Sequence, residues 1–516
     1  MTLSIFRLTT VADVSVAGRI ARSMIAGAAV LALASCGGSS AGGGSGGIAM
    51  PSPAPAPSPA PTPTPIPVAQ APLARSFVTS ADGARRLDPA TMGAWQVAAP
   101  VADTLIQVDP SRRYQTIAGF GAAISDSSAW LIQRRMSDAQ RTALMADLFG
   151  PSPGIALGAT RLTIGASDFS LLHYSYAEGA LGTPTDLTRV EADVLPTILA
   201  ARAISPQLTV IASPWSAPAS MKSSGRLIGG TLNAVAYPHF ARYLRDYLVG
   251  MAARGVPIDA LTIQNEPDFE PGDYPGMRLS AAQRADFVAN HLGPLLRRDA
   301  PSTQLLEWDH NWDQPGQPAA VLRNSAAAQY IAGVAWHCYA GDVSAQSTVQ
   351  REFPDKDVWF TECSGGSWDP DFGSSLGWMT RNLIIGTTRN WARGVVMWNI
   401  ALDENNGPHL GGCGNCRGVV TIDSRNGNVT RNVEYYVLAH ASRFVRRGAV
   451  RIDSNTGVAG IDSVAFRNSD DGSIVLLVAN SAADARSFHV RFASRQFAAT
   501  LSAGAVATYV WDVPAP

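Results

Sequence analysis

The chain has 516 residues and a formal charge of -1, with 40 Lys plus Arg against 41 Asp plus Glu. That length exceeds one ordinary domain, and the balanced charge lacks the basic excess that a phosphate backbone or an anionic surface demands, so nucleic acid is excluded as a partner. Charged residues amount to 16%, and the first 75 residues carry only Arg7, Asp13, Arg19, Arg22 and Arg75, which sets that segment apart from a fold.

Arg19 and Arg22 precede an apolar run from Met24 to Ala34. The run is shorter than the ~20 residues of a membrane-spanning helix and has the length of a signal-peptide core. It ends Leu33-Ala34-Ser35-Cys36-Gly37, which resembles a bacterial lipoprotein signal, in which the Cys is lipidated and becomes the mature N-terminus. Residues 1–35 therefore read as a signal peptide and Cys36 as a lipidation site. The protein is expected to be exported and anchored to the cell envelope, touching membrane only through that lipid; an ordinary secretory signal with an incidental Cys is the alternative. Residues 36–73 read as a tether, Gly and Ser first, then ten of the 34 prolines between 51 and 72, a flexible stretch followed by a stiffer polyproline spacer.

Within 74–110, strand patterns at 75–79, 95–97 and 104–108 are too few for a stable sheet and are expected to pair with strands from the other chain end. Over 111–431, short apolar runs alternate with helix-length segments, the signature of βα units. Eight runs appear, at 116–120, 160–164, 208–212, 260–263, 304–307, 333–336, 358–360 and 394–397. Between the third and fourth, Tyr237, Phe240, Tyr243, Leu244, Tyr247 and Leu248 recur at helical spacing. Eight units over this length predict an α/β fold, a (β/α)8 barrel. A doubly wound open sheet is the rival, but no GxGxxG or GxxxxGK follows an early strand. From 432 to 516 the texture turns to period-2 strands at 461–467, 473–480, 488–492, 497–501 and 505–510, with Asp470-Asp471-Gly472 as a turn, an antiparallel β-sandwich joined by the N-terminal strands.

Four Cys follow Cys36: Cys338, Cys363 and the Cys413-Gly-Asn-Cys416 pair. With export, that close pair reads as a local disulfide rather than half a zinc site, because no second CxxC or HxxxH accompanies it. No metal and no cofactor are expected.

In such a barrel the carboxyl ends of the strands carry the chemistry. Here they read Ser167-Asp168, Ser213-Pro214-Trp215, Gln264-Asn265-Glu266-Pro267, His337-Cys338-Tyr339, Thr361-Glu362 and Trp398-Asn399. Acids after the fourth and seventh strands, walled by Trp215 and Trp398, are what glycoside hydrolysis needs: one carboxylic acid to protonate the leaving oxygen and one carboxylate to attack or to activate water. Asn265 adds an amide suited to a sugar 2-hydroxyl. Blander roles stand beside these: Asp168 as a cap, Trp215 as core, Arg161 as purely structural.

The stretches Gly119-Phe120-Gly121-Ala122-Ala123-Ile124-Ser125-Asp126, Arg161-Leu162, Ser167-Asp168-Phe169-Ser170, Ala212-Ser213-Pro214-Trp215-Ser216-Ala217-Pro218, Asn265-Glu266-Pro267 and Trp398-Asn399-Ile400-Ala401-Leu402, in this order, resemble glycoside hydrolase family 30, the acid β-glucosidase or glucosylceramidase family. The resemblance implies a barrel fused to a β-sandwich and a retaining double displacement with Glu266 as acid/base and Glu362 as nucleophile. It puts Asp168, Trp215, Asn265 and Trp398 on the glucosyl unit, and Arg161, His337 and Tyr339 around the nucleophile. The substrate expected is a β-linked glucoside, glucan or glycolipid, cleaved in the manner of a glucosylceramidase, with an endo-β-1,6-glucanase as the alternative. Cys338 stands where the mammalian enzyme has an aromatic, and His409 where it has Asn. Both differences, together with the Cys413/Cys416 loop, are expected on the aglycone side. A non-catalytic carbohydrate-binding envelope lipoprotein is the reading from another class, and the presence of both acids argues against it.

Overall fold

The computed structural model describes residues 74–100, 104–455 and 458–513; the expected signal peptide, Cys36 and the tether fall outside the described residues. Eight parallel strands close into a barrel in chain order: Gly119–Ala122, Ala159–Ile164, Thr209–Pro214, Ala260–Thr262, Gln304–Asn311, Ile331–His337, Asp357–Glu362 and Ala392–Met397. The eighth pairs with the first through Gly394↔Gly119 to Met397↔Ala122. The first expected strand began three residues early. Ile117 and Ala118 are buried and so prolong the apolar run, but they lie between the barrel strand and a separate long strand, Leu105–Thr116. The break sits at Gly119, whose φ of 154° and contact with Gly158, where a Cβ would stand 2.5 Å from its carbonyl oxygen, admit only glycine.

The strands' inward side chains set two layers. Ala118, Ala159, Ile211, Ala260, Leu306, Ala335, Trp359 and Val396 fill the lower barrel, so the floor is packed core rather than a pore. Toward the carboxyl ends, polar side chains replace them. Outside, the helix Tyr237–Ala253 presents Tyr237, Phe240, Tyr243, Leu244, Tyr247, Leu248 and Met251 to the barrel, the stripe expected from its period. Truncating Phe240, which is fully buried, would cost about 3–5 kcal/mol.

Ten further strands form one sheet built from both chain ends. Ala74–Thr79 pairs with Val506–Trp511, and Leu105–Thr116 runs between Val450–Ser454 and Arg486–Phe492. Ile106, Val108, Leu476, Val490, Phe497 and Trp511 close around their own core. Strand texture expected from 432 onward does not begin there. Val433–Ser442 is a helix with every residue buried, and strands resume at Val450. The helix is clamped between the first barrel strand and the sheet, so it has no wet face, and with Glu434 and His440 buried among its apolar residues it lacks the apolar-against-polar 3.6-residue period that reveals a helix.

Candidate active site

Arg161, from the second strand, is fully buried and organises the barrel mouth. Its Nε donates to Ser213 Oγ at 3.0 Å, its Nη2 to Asn265 Oδ1 at 2.8 Å and Asp309 Oδ2 at 2.7 Å, and its Nη1 to Glu362 Oε2. Because Asn265 Oδ1 accepts from Arg161, the amide orientation is set and its N–H groups are the ones left for a ligand. Glu362 Oε1 accepts from the Tyr339 hydroxyl at 2.9 Å, so both nucleophile-candidate oxygens are held.

Glu266 follows the fourth strand in a left-handed conformation, φ 46°, its N–H bonded to the Asp309 carbonyl at 3.0 Å. Its Oε1 lies 3.1 Å from His337 Nδ1, and His337 Nε2 lies 3.0 Å from Asp309 Oδ1. Burial pushes the His337 pKa down, but the charges of Glu362 and Asp309 and the bonds to Asp309 and Glu266 outweigh it and lift it to about 9. Burial likewise pushes Glu266 up, and the hydrogen bond and charge of His337 more than reverse it. These opposite directions place the proton of the pair on His337 rather than on Glu266. One oxygen of Glu266, one of Glu362 and a nitrogen of His337 all lie within 4.8 Å of one another. These three groups are the ones among the described residues able to hold a metal ion, but Arg161 already supplies the positive charge that faces Glu362.

Trp215 and Trp398 stack with centroids 5.0 Å apart and planes at 20°, and the Arg161 guanidinium lies 4.7 Å from the Trp215 centroid. Asp168 completes this side. Burial, then the negative charges of Glu362 and Glu266, raise it to about 8, so it is a neutral acid at pH 7, able to donate a hydrogen bond. Thus Arg161, Asp168, Trp215, Asn265, Glu266, His337, Tyr339, Glu362 and Trp398 converge on one mouth.

Paired acids, a polar lining and a double tryptophan wall at this end of a closed barrel are the setting of sugar chemistry, and comparison with known proteins identifies the family. The Glycosyl hydrolase family 30 TIM-barrel domain matches residues 117–445, and that family's beta sandwich domain matches 448–509. The chain belongs to glycosyl hydrolase family 30. As a family 30 glycoside hydrolase it is 36% identical over 444 residues to an endo-1,6-beta-D-glucanase of Neurospora crassa, covering 80% of this chain and 89% of that protein. It is 27% identical over 463 residues to the lysosomal acid glucosylceramidase of Mus musculus, 82% and 86% covered. A solved endo-beta1,6-glucanase superposes with a TM-score of 0.80 at 30% identity, over 85% of this chain and 99% of that one.

One expectation about the walls of this family 30 site needs revision. Cys413 and Cys416 are joined, with Sγ atoms 2.04 Å apart. Their loop, however, packs on the Asp168 side rather than the far side: Leu410 N–H bonds the Asp168 carbonyl at 2.8 Å, and a Cβ on Gly412 would stand 2.4 Å from that of Asp168. The loop is drawn there because Cys416 packs in one apolar cluster with Phe169, Trp215 and Trp398. Cys338, expected as a smaller wall, is in addition bonded to Cys363, tying the residue before Tyr339 to the residue after Glu362.

Asp309 was not among the expected site residues, although it links Arg161, His337, Thr262 and Thr361. Burial would raise its pKa, yet Arg161 and His337 hold it far below the carboxylate range. The expected fifth strand stopped at 307. By strict alternation Leu306 points in, Glu307 out and residue 308 in. Positive φ at Trp308 (76°) and Asp309 (59°) breaks that rule, as does the register shift opposite Ala335 and Trp336. Trp308 turns out to lie 5.3 Å from Arg284, and Asp309 takes the inward place. A bulge beside an active site re-aims side chains in this way. The apolar-run signal cannot show it, but the polar cluster Asp309-His310-Asn311 after the run was a visible cue.

Proposed function

We propose that the protein is a retaining endo-β-1,6-glucanase. The observation that carries the retaining mechanism is the approach of Glu266 and Glu362 within 4.8 Å. This suits direct attack, with carboxyls about 5–5.5 Å apart, and not the 6.5–9.5 Å that an intervening water needs. Glu362, held in place by its hydrogen bonds from Arg161 and Tyr339, attacks the anomeric carbon. Glu266 hands the leaving oxygen a proton drawn from its pair with His337, then takes one from water as the glucosyl-enzyme is hydrolysed. The linkage rests on the 36% and 30% likeness to proteins named as endo-1,6-glucanases, against 27% to the mouse glucosylceramidase. The glucosylceramidase-like specificity expected first therefore gives way to its alternative.

The test is a time course on β-1,6-glucan, β-1,3-glucan and glucosylceramide, read by chromatography and by NMR of the first anomer released. Early oligosaccharides of β configuration from β-1,6-glucan are expected. An α product overturns the mechanism; glucose alone overturns the endo action; cleavage confined to glucosylceramide overturns the linkage. Export with an anchor at Cys36 remains our proposal from the sequence, supported by two disulfides, which suit an oxidising compartment. Loss of a lipid mass shift in Cys36→Ala would bear it out, and an unmodified wild-type Cys36 would refute it.

A further inference from the structure

Beside the mouth lies a cavity of about 380 Å³ that none of Asp168, Trp215, Asn265 or Trp398 lines. Its walls include the Cys338–Cys363 disulfide, Tyr339, Trp368, Asp369 and Trp378. Volumes of this order hold small ligands. Three of its aromatics are unusually bare for their size: Trp368 is 54% exposed, Trp378 46% and Tyr339 45%. Exposed aromatic surface grouped in one hollow marks a ligand site, and a half-exposed indole next to polar Asp369 suits the apolar C–H face and hydroxyl edge of a sugar.

The hollow is built rather than incidental. Gly365–Gly366 pairs with Cys416–Arg417, and Arg417 is pinned by the buried Glu434 at 2.8 Å. Trp368 lies so close over Gly366 that a Cβ there would stand 2.0 Å from its ring. Asp369 N–H bonds Gly366 O at 3.2 Å, and Ser375 Oγ bonds Asp369 Oδ2 at 3.2 Å, which fixes the loop. The cavity meets the reacting centre at Tyr339, whose hydroxyl is on Glu362.

Topology assigns the occupant. The residues facing the glucosyl unit come after the second, third, fourth and eighth strands, whereas the cavity is made by the segments after the sixth and seventh. Tyr339 stands two residues beyond His337, the partner of the acid Glu266, and the bond being cleaved leaves on the acid's side. We infer that this cavity is the leaving-group subsite, in which Trp368 and Trp378 receive the next glucosyl units of the chain being cut. The inference rests on the glucan reading above and extends it to the residues that select a polymer over a simple glucoside.

The experiment compares wild type with Trp368→Ala, Trp378→Ala and Gly366→Ala, the last displacing the Trp368 ring without removing it. Each is measured on β-1,6-linked gluco-oligosaccharides and on β-glucosyl fluoride, whose one-atom leaving group does not reach the cavity. Transfer of the glucosyl unit from that fluoride donor to a gluco-oligosaccharide acceptor is measured as well. An unchanged melting temperature shows that the fold is intact. Loss of kcat/KM on oligosaccharides by about 10- to 100-fold, with a parallel loss of transfer, is expected for removal of an aromatic anchor. Equal activity of the variants and wild type on oligosaccharides overturns the subsite, as does equal loss on both substrates. Loss on oligosaccharides with transfer unchanged overturns the leaving-group assignment and moves the cavity to the other side of the cleaved bond. If wild type cuts a different β-glycan polymer, the linkage reading fails while the same ratio on that polymer still decides the subsite. If it cuts no polymer, the subsite falls as well.

Discussion

The barrel mouth and the ten-stranded sheet are both made of β-strands, yet they are built on opposite principles. In the sheet, Leu476, Val478, Val490 and Trp511 are buried without charge, and regular pairing from Ile461↔Asn480 to Arg467↔Ile474 leaves side chains where alternation puts them. At the mouth, the ionisable side chains of Arg161, Asp309, His337 and Glu362 are buried together, and Glu266, Trp308, Asp309 and Asn399 all have positive φ. Such conformations cost on the order of 1–3 kcal/mol each and persist only where surrounding structure over-determines them. The sheet shows how little is needed to hold strands together. The excess at the mouth is therefore spent on placing charge, which is what a glycosidase requires of it.

That contrast is most exposed at Asp309. Asp309→Asn should remove the carboxylate that Arg161 and His337 share, leaving each with a single acidic partner, Glu362 and Glu266 respectively. We expect kcat to fall on the order of 10²–10³-fold and unfolding to be easier by about 3–5 kcal/mol, the usual cost of breaking a buried ion pair. Near-wild-type kcat in a folded variant would show that the network is scaffold alone. The matching change in the sheet, Leu476→Ala, should cost a comparable but smaller 2–5 kcal/mol through the cavity it leaves. It should leave kcat/KM at 25 °C unchanged, so a fall in activity would mean that the two regions are coupled.

The smallest and sharpest test uses two buried histidines with opposite signs. His440 sits where barrel and sheet meet, bonded to Thr508 at 2.9 Å and Thr79 at 2.8 Å, and burial lowers it to about 3. Its neutral form is the folded one, so its contribution is present above the unfolded pKa of ~6.5 and is lost as pH falls from there toward 3, at up to about 1.4 kcal/mol per unit. His337, raised to about 9, behaves in reverse: its contribution is present below ~6.5 and is lost as pH rises toward 9. Denaturant titrations across pH should flatten on the acid side in His440→Asn and on the alkaline side in His337→Asn. The same slope in either variant as in wild type would contradict the assignment for that residue.

Much of this architecture was legible in the sequence. Eight apolar runs, the helical stripe of Tyr237–Ala253 and the polar strand ends are local signals, because hydrophobic period and strand-end composition are written in consecutive residues. Glu266, Glu362, Asp168, Trp215 and Trp398 came from those ends. Local pattern could not show the helix Val433–Ser442, which has no wet face, or the inward turn of Asp309, which depends on a bulge against the sixth strand. Nor could it pair Cys338 with Cys363, since that bond needs the sixth and seventh strands side by side. The sequence by itself determined which residues carry charge, ring or thiol and roughly which element each would occupy. Only the tertiary structure decided which of them share a proton, a guanidinium or a cavity wall. Those relations join residues up to 201 positions apart, and barrel closure alone brings them together.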